Sequence, residues 1–383
     1  MPINETYRTW IQRICELRPK QRITQVQNFV WLVVGIFHSH SVNISKIAGK
    51  VIGQAKNVCP VRRLSRFLAN SAMDVHSCYK PVAKIWLQLQ FERVGEIRLI
   101  VDGTKIGFGH QLLMISLAYR NRAVPIAWSW VKHIRGHSSA QQQVSWLRYV
   151  ETLLPKKAPV VLVGNSEFGS ILVLRQLDRW RWVYVLRQKS NTGLWISEKT
   201  DCQTLGSFAH QTGHSAWFQN AYLTQQEINQ VSVLVYWQIE EKEPWCLATN
   251  LPDQALTLRY YRRRMWIEEM FGDFKKHGFE LEKTMLRQTP RLSRLTLAVA
   301  FLYVWLLSTG SRTIRAGLRH IVDRKDRPDL SLFQIGWRFI DRKLLRSIPC
   351  SVLLCVRPRN CLVTRKKFRF IENLNSTLVA IRD

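Results

Sequence analysis

The feature that most constrains the fold is an ordered series of apolar runs and helical patterns between Glu96 and Leu186. Three strand-like runs come first: Ile97–Val101, Leu112–Tyr119 and Ala123–Val131. They are followed by a helical pattern (140–154), a compact β-branched run (Val160–Val163), a second helical pattern (168–179) and a last strand-like run (Trp182–Leu186). Alternating or continuous short apolar runs indicate strands, and apolar residues at three-to-four spacing indicate helices. The order predicts an α/β unit whose later strands are parallel and buried.

This order of elements is that of the ribonuclease-H-like fold, which has three strands followed by a helix, a strand, a helix and a strand. That fold carries metal-binding carboxylates at the ends of its strands, and here Asp102 directly follows the first apolar run. The aromatic, strand-like stretch from Thr192 to about Asn250 interrupts the order before the next helical pattern. The predicted fold class is therefore α/β, with a ribonuclease-H-like core, a β-rich insertion, and helical N-terminal and C-terminal regions.

Net charge limits the class of partner. The 383-residue chain has a formal net charge of +30, spread along its whole length, and 46% hydrophobic residues. That apolar content is too high for a disordered basic protein. A folded chain with this charge favours a polyanion, with nucleic acid as the first choice and an anionic membrane surface as the rival. The apolar runs at 29–37 and 297–307 are too short to span a bilayer, which takes about 20 residues; no membrane partner is expected.

The cysteines and the N-terminus indicate the compartment. None of the eight cysteines forms a Cys-x-x-Cys pair or a Cys/His cluster with zinc-site spacing. Most of them are expected to be small buried apolar residues in a reducing cytosol. The N-terminus has no signal-peptide pattern, so a cytoplasmic, nucleoid-associated protein is expected.

The first 90 residues have a helical pattern. Two short basic segments, about Ile44–Ile52 and Val61–Leu68, are separated by a break at 53–60. They favour a helix-turn-helix-like DNA-binding unit. A solvated basic face on an ordinary helical bundle would give the same pattern. Later in the chain, a strongly apolar helix is predicted from Thr289 to about Arg319, and a further helix from Leu332 to Leu345 within a basic, mixed stretch.

The sharpest chemical signal lies in the helical pattern from about Leu256 to His277. At 3.6 residues per turn, Tyr261, Arg264, Glu268 and Lys275 lie within about 60° of one another on a helix. An ordinary solvated face also mixes charges, but it gives no reason for a tyrosine in the row. Glu268 is predicted to hold a metal ion, and the other three side chains to contact DNA phosphates beside it.

The spacing Tyr-x2-Arg-x3-Glu-x6-Lys resembles the signature of bacterial cut-and-paste insertion-sequence transposases of the DDE type. Ile100–Thr104 resembles their first aspartate motif, and Val161–Gly169 resembles their second. The resemblance covers about residues 96–285 well, and the flanks only in general character.

The resemblance implies a specific activity and organisation. It implies a homodimer that binds double-stranded DNA at transposon inverted-repeat ends, cleaves the strands and transfers them to target DNA. Its cofactor would be two divalent ions, usually magnesium with manganese as a substitute, held by residues 102, 165 and 268. The corresponding units are a helical DNA-binding domain (1–92), a catalytic core (93–190 and 254–288), the insertion (191–253) and a basic helical C-terminal region for DNA binding or dimerisation (289–383).

One residue departs from that family. Where the family places its second catalytic aspartate, this chain has Asn165. Asparagine keeps the shape and one carbonyl oxygen but loses the charge, so weakened metal binding and a large loss of rate are expected. Three explanations stay open: a substitution introduced to trap a DNA complex, natural decay of the element, or replacement of the missing carboxylate by Glu167.

Weaker DNA-binding candidates surround this constellation. Lys105 follows the first motif, and Trp237 belongs to a group of insertion tryptophans from which one could stack on a flipped base. A polar loop (133–138) and a basic tail are further candidates, the tail containing Arg357, Arg359, Arg365, Lys366, Lys367 and Arg369. Solvated surface residues and sheet core explain the same residues without any DNA contact.

Three functions remain in competition. The first is a transposase that acts on its own element and is catalytically impaired by Asn165. The second is a non-catalytic, transposase-derived DNA-binding protein or repressor. The third, a general nuclease or junction resolvase with the same core, leaves the Tyr-Arg-Glu-Lys row and the aromatic insertion unexplained.

Overall fold

The computed structural model describes residues 2–50, 58–107, 109–132, 138–196, 201–224 and 230–355. Most of the predicted polar loop and the whole predicted basic tail lie outside these residues. Within them, ten strands form one sheet: β1 (Ile97–Ile106), β2 (His110–Tyr119), β3 (Arg122–Lys132), β4 (Val160–Gly164), β5 (Val183–Gln188), β6 (Gly193–Trp195), β7 (Gln203–Thr204), β8 (Ser215–Leu223), β9 (Gln230–Tyr236) and β10 (Trp245–Thr249).

The same residues contain eleven α-helices. They are α1 (Pro2–Leu17), α2 (Ile23–Ser39), α3 (Ile44–Ala48), α4 (Val58–Ala69), α5 (Val75–Val94), α6 (Ala140–Glu151), α7 (Ile171–Arg179), α8 (Gln254–Tyr261), α9 (Met265–Phe274), α10 (Thr289–Arg315) and α11 (Leu332–Leu345). The protein is therefore a mixed α/β structure, and α1 to α5 agree with the helical pattern of the first 90 residues.

The sheet order is β3-β2-β1-β4-β5-β10-β9-β8-β6-β7. Strands β1, β4 and β5 are parallel, and β2 runs antiparallel to β1. All residues of β2 and β4 are buried, and the parallel strand β4 is a continuous apolar run, as expected for a strand covered on both faces. Strand β4 ends at Gly164, opposite Val101 in the middle of β1, whereas β1 continues to Ile106 and so is longer than the predicted Ile97–Val101.

The residues predicted as a β-rich insertion supply β6 to β10. These strands continue the same sheet, because β10 pairs antiparallel with β5 through Cys246–Thr249 and Val185–Gln188. The aromatic residues of this segment are partly core: Trp245 is 6% exposed and packs edge-on against Tyr261.

Helix α10 is the central helix of the core. By length and composition it could cross a bilayer, yet 89% of its most apolar window is buried inside the protein. It contacts β3 on one side and α11 and α2 on others. Helix α11 approaches it at two glycines: a Cβ on Gly336 would collide with the Leu306 carbonyl, and one on Gly310 with the Leu332 carbonyl.

Candidate active site

Strand register brings the first two predicted site residues together. Val101 of β1 lies opposite Gly164 of the parallel strand β4, so the next residues, Asp102 and Asn165, occupy matching positions. Gly164 permits this approach, because a Cβ there would lie 2.6 Å from the Val101 Cγ1 atom. The Asn165 side-chain amide donates a hydrogen bond to Asp102 Oδ1.

Asp102 is a buried carboxylate with several donors around it. Only 4% of the residue is exposed. Its Oδ1 accepts the Gly103 backbone N–H at 2.7 Å, and its Oδ2 pairs with Arg264 Nη1 at 2.6 Å. Burial raises the pKa of Asp102 to about 6, against the opposing effects of Arg264 and the Gly103 N–H. A positive charge close to Asp102 therefore favours its ionised form.

Asn165 lies at the start of a 3₁₀ turn, Ser166–Phe168. Its Oδ1 accepts the Glu167 backbone N–H at 3.1 Å, while its Nδ2 faces Asp102. The amide thus satisfies a donor on one side and an acceptor on the other. An aspartate in the same rotamer would place two carboxylate oxygens face to face.

Glu268 joins the site through Arg264. Arg264 Nη2 lies 2.6 Å from Glu268 Oε1, so one guanidinium bridges Asp102 and Glu268. The Glu268 side chain is 45% exposed, unlike that of Asp102. One cationic side chain therefore bridges Asp102 and Glu268, a role that sequence reasoning missed, and Asn165 joins them through its hydrogen bond to Asp102.

The prediction of one uninterrupted helix from Leu256 to His277 is wrong. A 3₁₀ turn at Arg262–Arg264 separates α8 from α9, and α9 ends at Phe274. Lys275 has non-helical backbone angles, and its ammonium pairs with Glu282 Oε1 at 3.3 Å. The calculated stripe therefore holds for Arg264 and Glu268 but not for Lys275.

The other predicted DNA-contacting residues lie in different environments. Tyr261 is 2% exposed, and the Arg264 guanidinium carbon lies 5.9 Å from its ring centroid. Burial raises the pKa of Tyr261. Lys105 is an exposed residue within β1, opposite Gln111. Trp237 follows β9 and donates from Nε1 to the Glu241 carbonyl at 2.9 Å.

Glu167 is engaged in a separate polar network. Its Oε1 accepts from Ser138 N at 3.0 Å and Ser138 Oγ at 2.9 Å, and its Oε2 accepts from Gln111 Nε2 at 2.7 Å. Both oxygens therefore have protein partners, which weakens the explanation in which Glu167 replaces an aspartate at 165.

Two buried ionic clusters hold the elements that carry the site, and sequence reasoning missed both. Tyr260 of α8 donates to Glu96 Oε2 at 3.0 Å, next to the start of β1. Asp273 of α9 pairs with Arg122 of β3 at 3.1 Å and accepts from Tyr303 of α10 at 3.2 Å. Neither contact has a clear sequence signal, because both segments carry other charged residues as well.

The side-chain oxygens of Asp102, Asn165 and Glu268 are suited to a hard cation, but together they carry one negative charge fewer than three carboxylates would. Among the described residues, no group of three Asp, Glu, His or Cys side chains is arranged to hold a metal ion. Asp102 and Glu268 supply two carboxylates, and the third place is taken by the neutral Asn165. Carboxylate and amide oxygens are the ligands that Mg²⁺ and Mn²⁺ prefer.

Comparison with known proteins supplies a family match. Residues 95–305, more than half of the chain, match the family model described as transposase DDE domain. The chain is also similar to the protein in a cryo-EM structure of the piggyBac transposase synaptic complex with hairpin DNA. That similarity has 10% sequence identity and a TM-score of 0.40, and covers 97% of this chain and 82% of the other. No curated protein matches the chain.

Proposed function

The chain belongs to the transposase DDE domain family, and on that premise we propose that it binds the inverted-repeat ends of its element, cleaves their strands and transfers them to target DNA. The family match makes the chain a DNA transposase in broad terms. The observation that supports the finer proposal is that Arg264 bridges Asp102 of β1 and Glu268 of α9, while Asn165, directly after β4, donates to Asp102.

The strand order supports a ribonuclease-H-like core. In β3-β2-β1-β4-β5, the first three strands are antiparallel neighbours and the last three are parallel. Asp102 within β1 and Asn165 directly after β4 then lie where such a core presents its metal ligands. We propose residues 93–190 and 254–288 as this core.

The oxygen atoms around Arg264 fit a divalent cation. Enzymes of this family generally use divalent metal ions, and we propose magnesium, held by Asp102 and Glu268; the Asn165 carbonyl oxygen, which accepts the Glu167 N–H in the structure, would join them after a rotation of its amide. When bound, such ions supply the positive charge that phosphoryl transfer requires and activate the attacking oxygen. The chain itself prepares the site by burying Asp102 and by fixing its orientation with the Gly103 N–H.

Arg264 is suited to hold a DNA phosphate next to the carboxylates. Two of its nitrogens pair with Asp102 and Glu268, and its side chain is 14% exposed beside the 45% exposed Glu268. Arginine binds phosphate oxygens through several parallel N–H groups. We propose that Arg264 orients the scissile phosphate, with Tyr261 packed behind it to limit its motion.

Asn165 is proposed to impair the chemistry without disturbing the fold. It removes one of three negative charges, and its amide hydrogen points at an oxygen that would otherwise face a cation. The expected result is weaker metal binding and a rate reduced by several orders of magnitude.

A second candidate function is a transposase-derived DNA-binding protein without catalysis. The hydrogen bond between Asn165 and Asp102 favours it, because the pair is satisfied as it stands. In both cases the net charge of +30 supports DNA as the partner. A homodimer is part of the first proposal, since each element has two ends to be joined.

The test is strand cleavage by the Asn165→Asp protein. The substrate is duplex DNA taken from both sides of the reading frame, with magnesium, and nicks are mapped on denaturing gels. The proposal predicts nicks at inverted-repeat boundaries with Asn165→Asp and none with the matched control Asn165→Asp/Glu268→Gln. Specific binding without any cleavage by Asn165→Asp would favour the second candidate, and equal cleavage of unrelated duplexes would indicate a general nuclease.

A further inference from the structure

Glu167 connects three segments that surround the candidate active site. Its Oε1 accepts the N–H and the hydroxyl of Ser138, just before α6, and its Oε2 accepts the side-chain amide of Gln111 in β2. Gln143 of α6 completes the set by donating to the Ser138 hydroxyl at 3.0 Å and to the Glu167 carbonyl at 2.9 Å. We call these four residues the Glu167 network. The network ties the turn after β4 to β2 and to the start of α6.

The Glu167 network is shielded from solvent. Gln111 and Gln143 are 6% and 2% exposed, and Ser138 and Glu167 are half-buried. Hydrogen bonds to an ionised carboxylate are about twice as strong as those between neutral groups, and a low local dielectric strengthens them. The carboxylate therefore holds the three segments together more firmly than neutral contacts would.

The network reaches position 165 through the backbone. The Glu167 N–H donates to Asn165 Oδ1 at 3.1 Å, and the Phe168 N–H donates to the Asn165 carbonyl at 3.1 Å. The Gly103 N–H binds Asp102 Oδ1 in a similar way, at 2.7 Å. Fixing the turn that contains Glu167 therefore fixes the direction in which the side chain at 165 faces Asp102.

The network also lies against the strand that carries Asp102. A Cβ on Gly103, the next residue, would collide with the side-chain amide of Gln111. The amide that donates to Glu167 is thus packed on the backbone beside Asp102. One carboxylate consequently restrains both sides of the contact between Asp102 and Asn165.

We propose that Glu167 is a positioning residue, which fixes the separation and orientation of the side chains at 102 and 165. This inference deepens the proposed function, on which its metal-binding test rests. The role differs from replacement of the missing aspartate, because Glu167 acts through residue 165 and not as a ligand of the cation. Its two carboxylate oxygens are already held by the donors of Ser138 and Gln111.

The substitution Glu167→Gln separates positioning from an effect of charge. The carbonyl oxygen of the new amide can accept both Ser138 donors. Its NH₂ group would face Gln111, whose Oε1 has no partner among the described residues and can turn to accept it. Glu167→Gln therefore keeps the network without its negative charge, whereas Glu167→Ala removes the network.

The first test observes position 165 in the full chain without added metal, by NMR of isotopically labelled asparagine side chains. The Asn165 signal is identified by its absence in Asn165→Asp. Glu167→Ala is expected to shift this signal and to speed the hydrogen exchange of the amide, and Glu167→Gln is expected to leave both unchanged. The Asn250 side chain, which donates to Asp178, is the internal control and should not respond. An Asn165 signal that Glu167→Ala leaves in place, or moves only together with that of Asn250, would overturn the proposal.

The second test measures Mn²⁺ affinity in the Asn165→Asp protein. Adding Glu167→Ala is expected to weaken binding on the order of tenfold or more, as loss of a group that orients a metal ligand does. Adding Glu167→Gln, or the control Glu151→Ala at the exposed end of α6, should leave the affinity unchanged. An equal loss with Glu167→Gln and Glu167→Ala would show that the charge matters and not the position, and would overturn the proposal.

The two proposals can fail separately. A shifted Asn165 signal in Glu167→Ala, together with no gain of Mn²⁺ affinity from Asn165→Asp, would support positioning and overturn the cation site. Cleavage by Asn165→Asp together with an unmoved Asn165 signal in Glu167→Ala would overturn positioning alone.

Discussion

At the scale of single residues, position 165 determines how the site balances its charges. The Asn165 amide donates to the buried Asp102, and Arg264 compensates the two carboxylates. The negative charges of Asp102 and Glu268 are therefore balanced in part by the guanidinium of Arg264. A third carboxylate, at position 165, would add a negative charge to the site. The free energy of unfolding would then depend on whether a metal ion is present.

We predict that Asn165→Asp lowers the free energy of unfolding by about 1–3 kcal/mol in chelator, because a donor is lost and two carboxylates come face to face. Added manganese should restore the loss. The measurement is thermal unfolding in chelator and in manganese.

A matched control exists elsewhere in the chain. Asn250 Nδ2 donates to Asp178 Oδ1 at 3.2 Å, so Asn250→Asp creates a similar pair away from the site. It should be destabilising in both conditions. Equal recovery of both variants in manganese would show that the effect is not specific to position 165.

Asp273 leads to a prediction about pH. Burial raises its pKa from 3.8 to about 7, against the opposing effect of Arg122; Tyr303 and Glu269 are the other groups that face it. Between about pH 4 and 7 the folded protein keeps a proton that the unfolded chain has released, so stability falls as pH rises through this window. Above the folded pKa the dependence levels off.

Asp273→Asn should remove this contribution, which is at most about 1.4 kcal/mol per pH unit. Urea unfolding of both proteins across the window gives the comparison. The same pH slope in the two proteins would contradict the assignment.

At the scale of elements, the α10–α11 contact depends on glycine. The backbones meet at Gly310 and Gly336 with no room for a Cβ. Gly336→Ala should therefore cost about 1–3 kcal/mol through forced displacement of the helices. Urea unfolding measures it, and Gly49→Ala, whose added carbon would meet nothing closer than 3.6 Å, is the control. Equal stability of the two variants would contradict this packing.

The sequence predicted these elements to different degrees for physical reasons. Helix α11 has the predicted bounds, Leu332–Leu345, because Ser331 and Gln334 form a capping box and the apolar spacing is regular. The meeting of Asp102 and Asn165 follows from the parallel pairing of β1 with β4, in which Val101 lies opposite Gly164. These features are local, or depend only on strand order.

The features that could not be predicted depend on tertiary contacts. The 3₁₀ turn at Arg262–Arg264 contains no helix-breaking residue, and Arg264 finds partners on both β1 and α9. The spacing of residues along the sequence does not reveal that Arg264 pairs with Asp102. The loss of helical geometry at Lys275 likewise coincides with its pairing to Glu282.

At the scale of the whole molecule, one hydrophobic cluster joins the N-terminal helices, the sheet and α10. Arg294 of α10 reinforces it by donating to the carbonyls of Leu68 at 2.9 Å and Met73 at 3.3 Å. Helix α4, which contains the second of the two segments predicted to bind DNA, is thus packed directly on α10.

Net charge determines the expected behaviour of the whole chain with DNA. If six to ten phosphates are contacted, affinity should fall by about 10³–10⁵ between 50 and 200 mM salt. Fluorescence anisotropy with a labelled duplex measures the slope. Affinity that does not change with salt would contradict phosphate contacts as the main source of binding.

The central claim is that residues 102, 165 and 268 form one cation site. Manganese binding, measured on the full chain by the paramagnetic resonance of free Mn²⁺, tests it most directly. The account predicts that Asn165→Asp binds Mn²⁺ on the order of tenfold or more tightly than the unsubstituted protein, because ligand charge sets affinity. It also predicts that Asn165→Asp/Glu268→Gln loses that gain, whereas equal affinity in all three proteins would contradict the shared site.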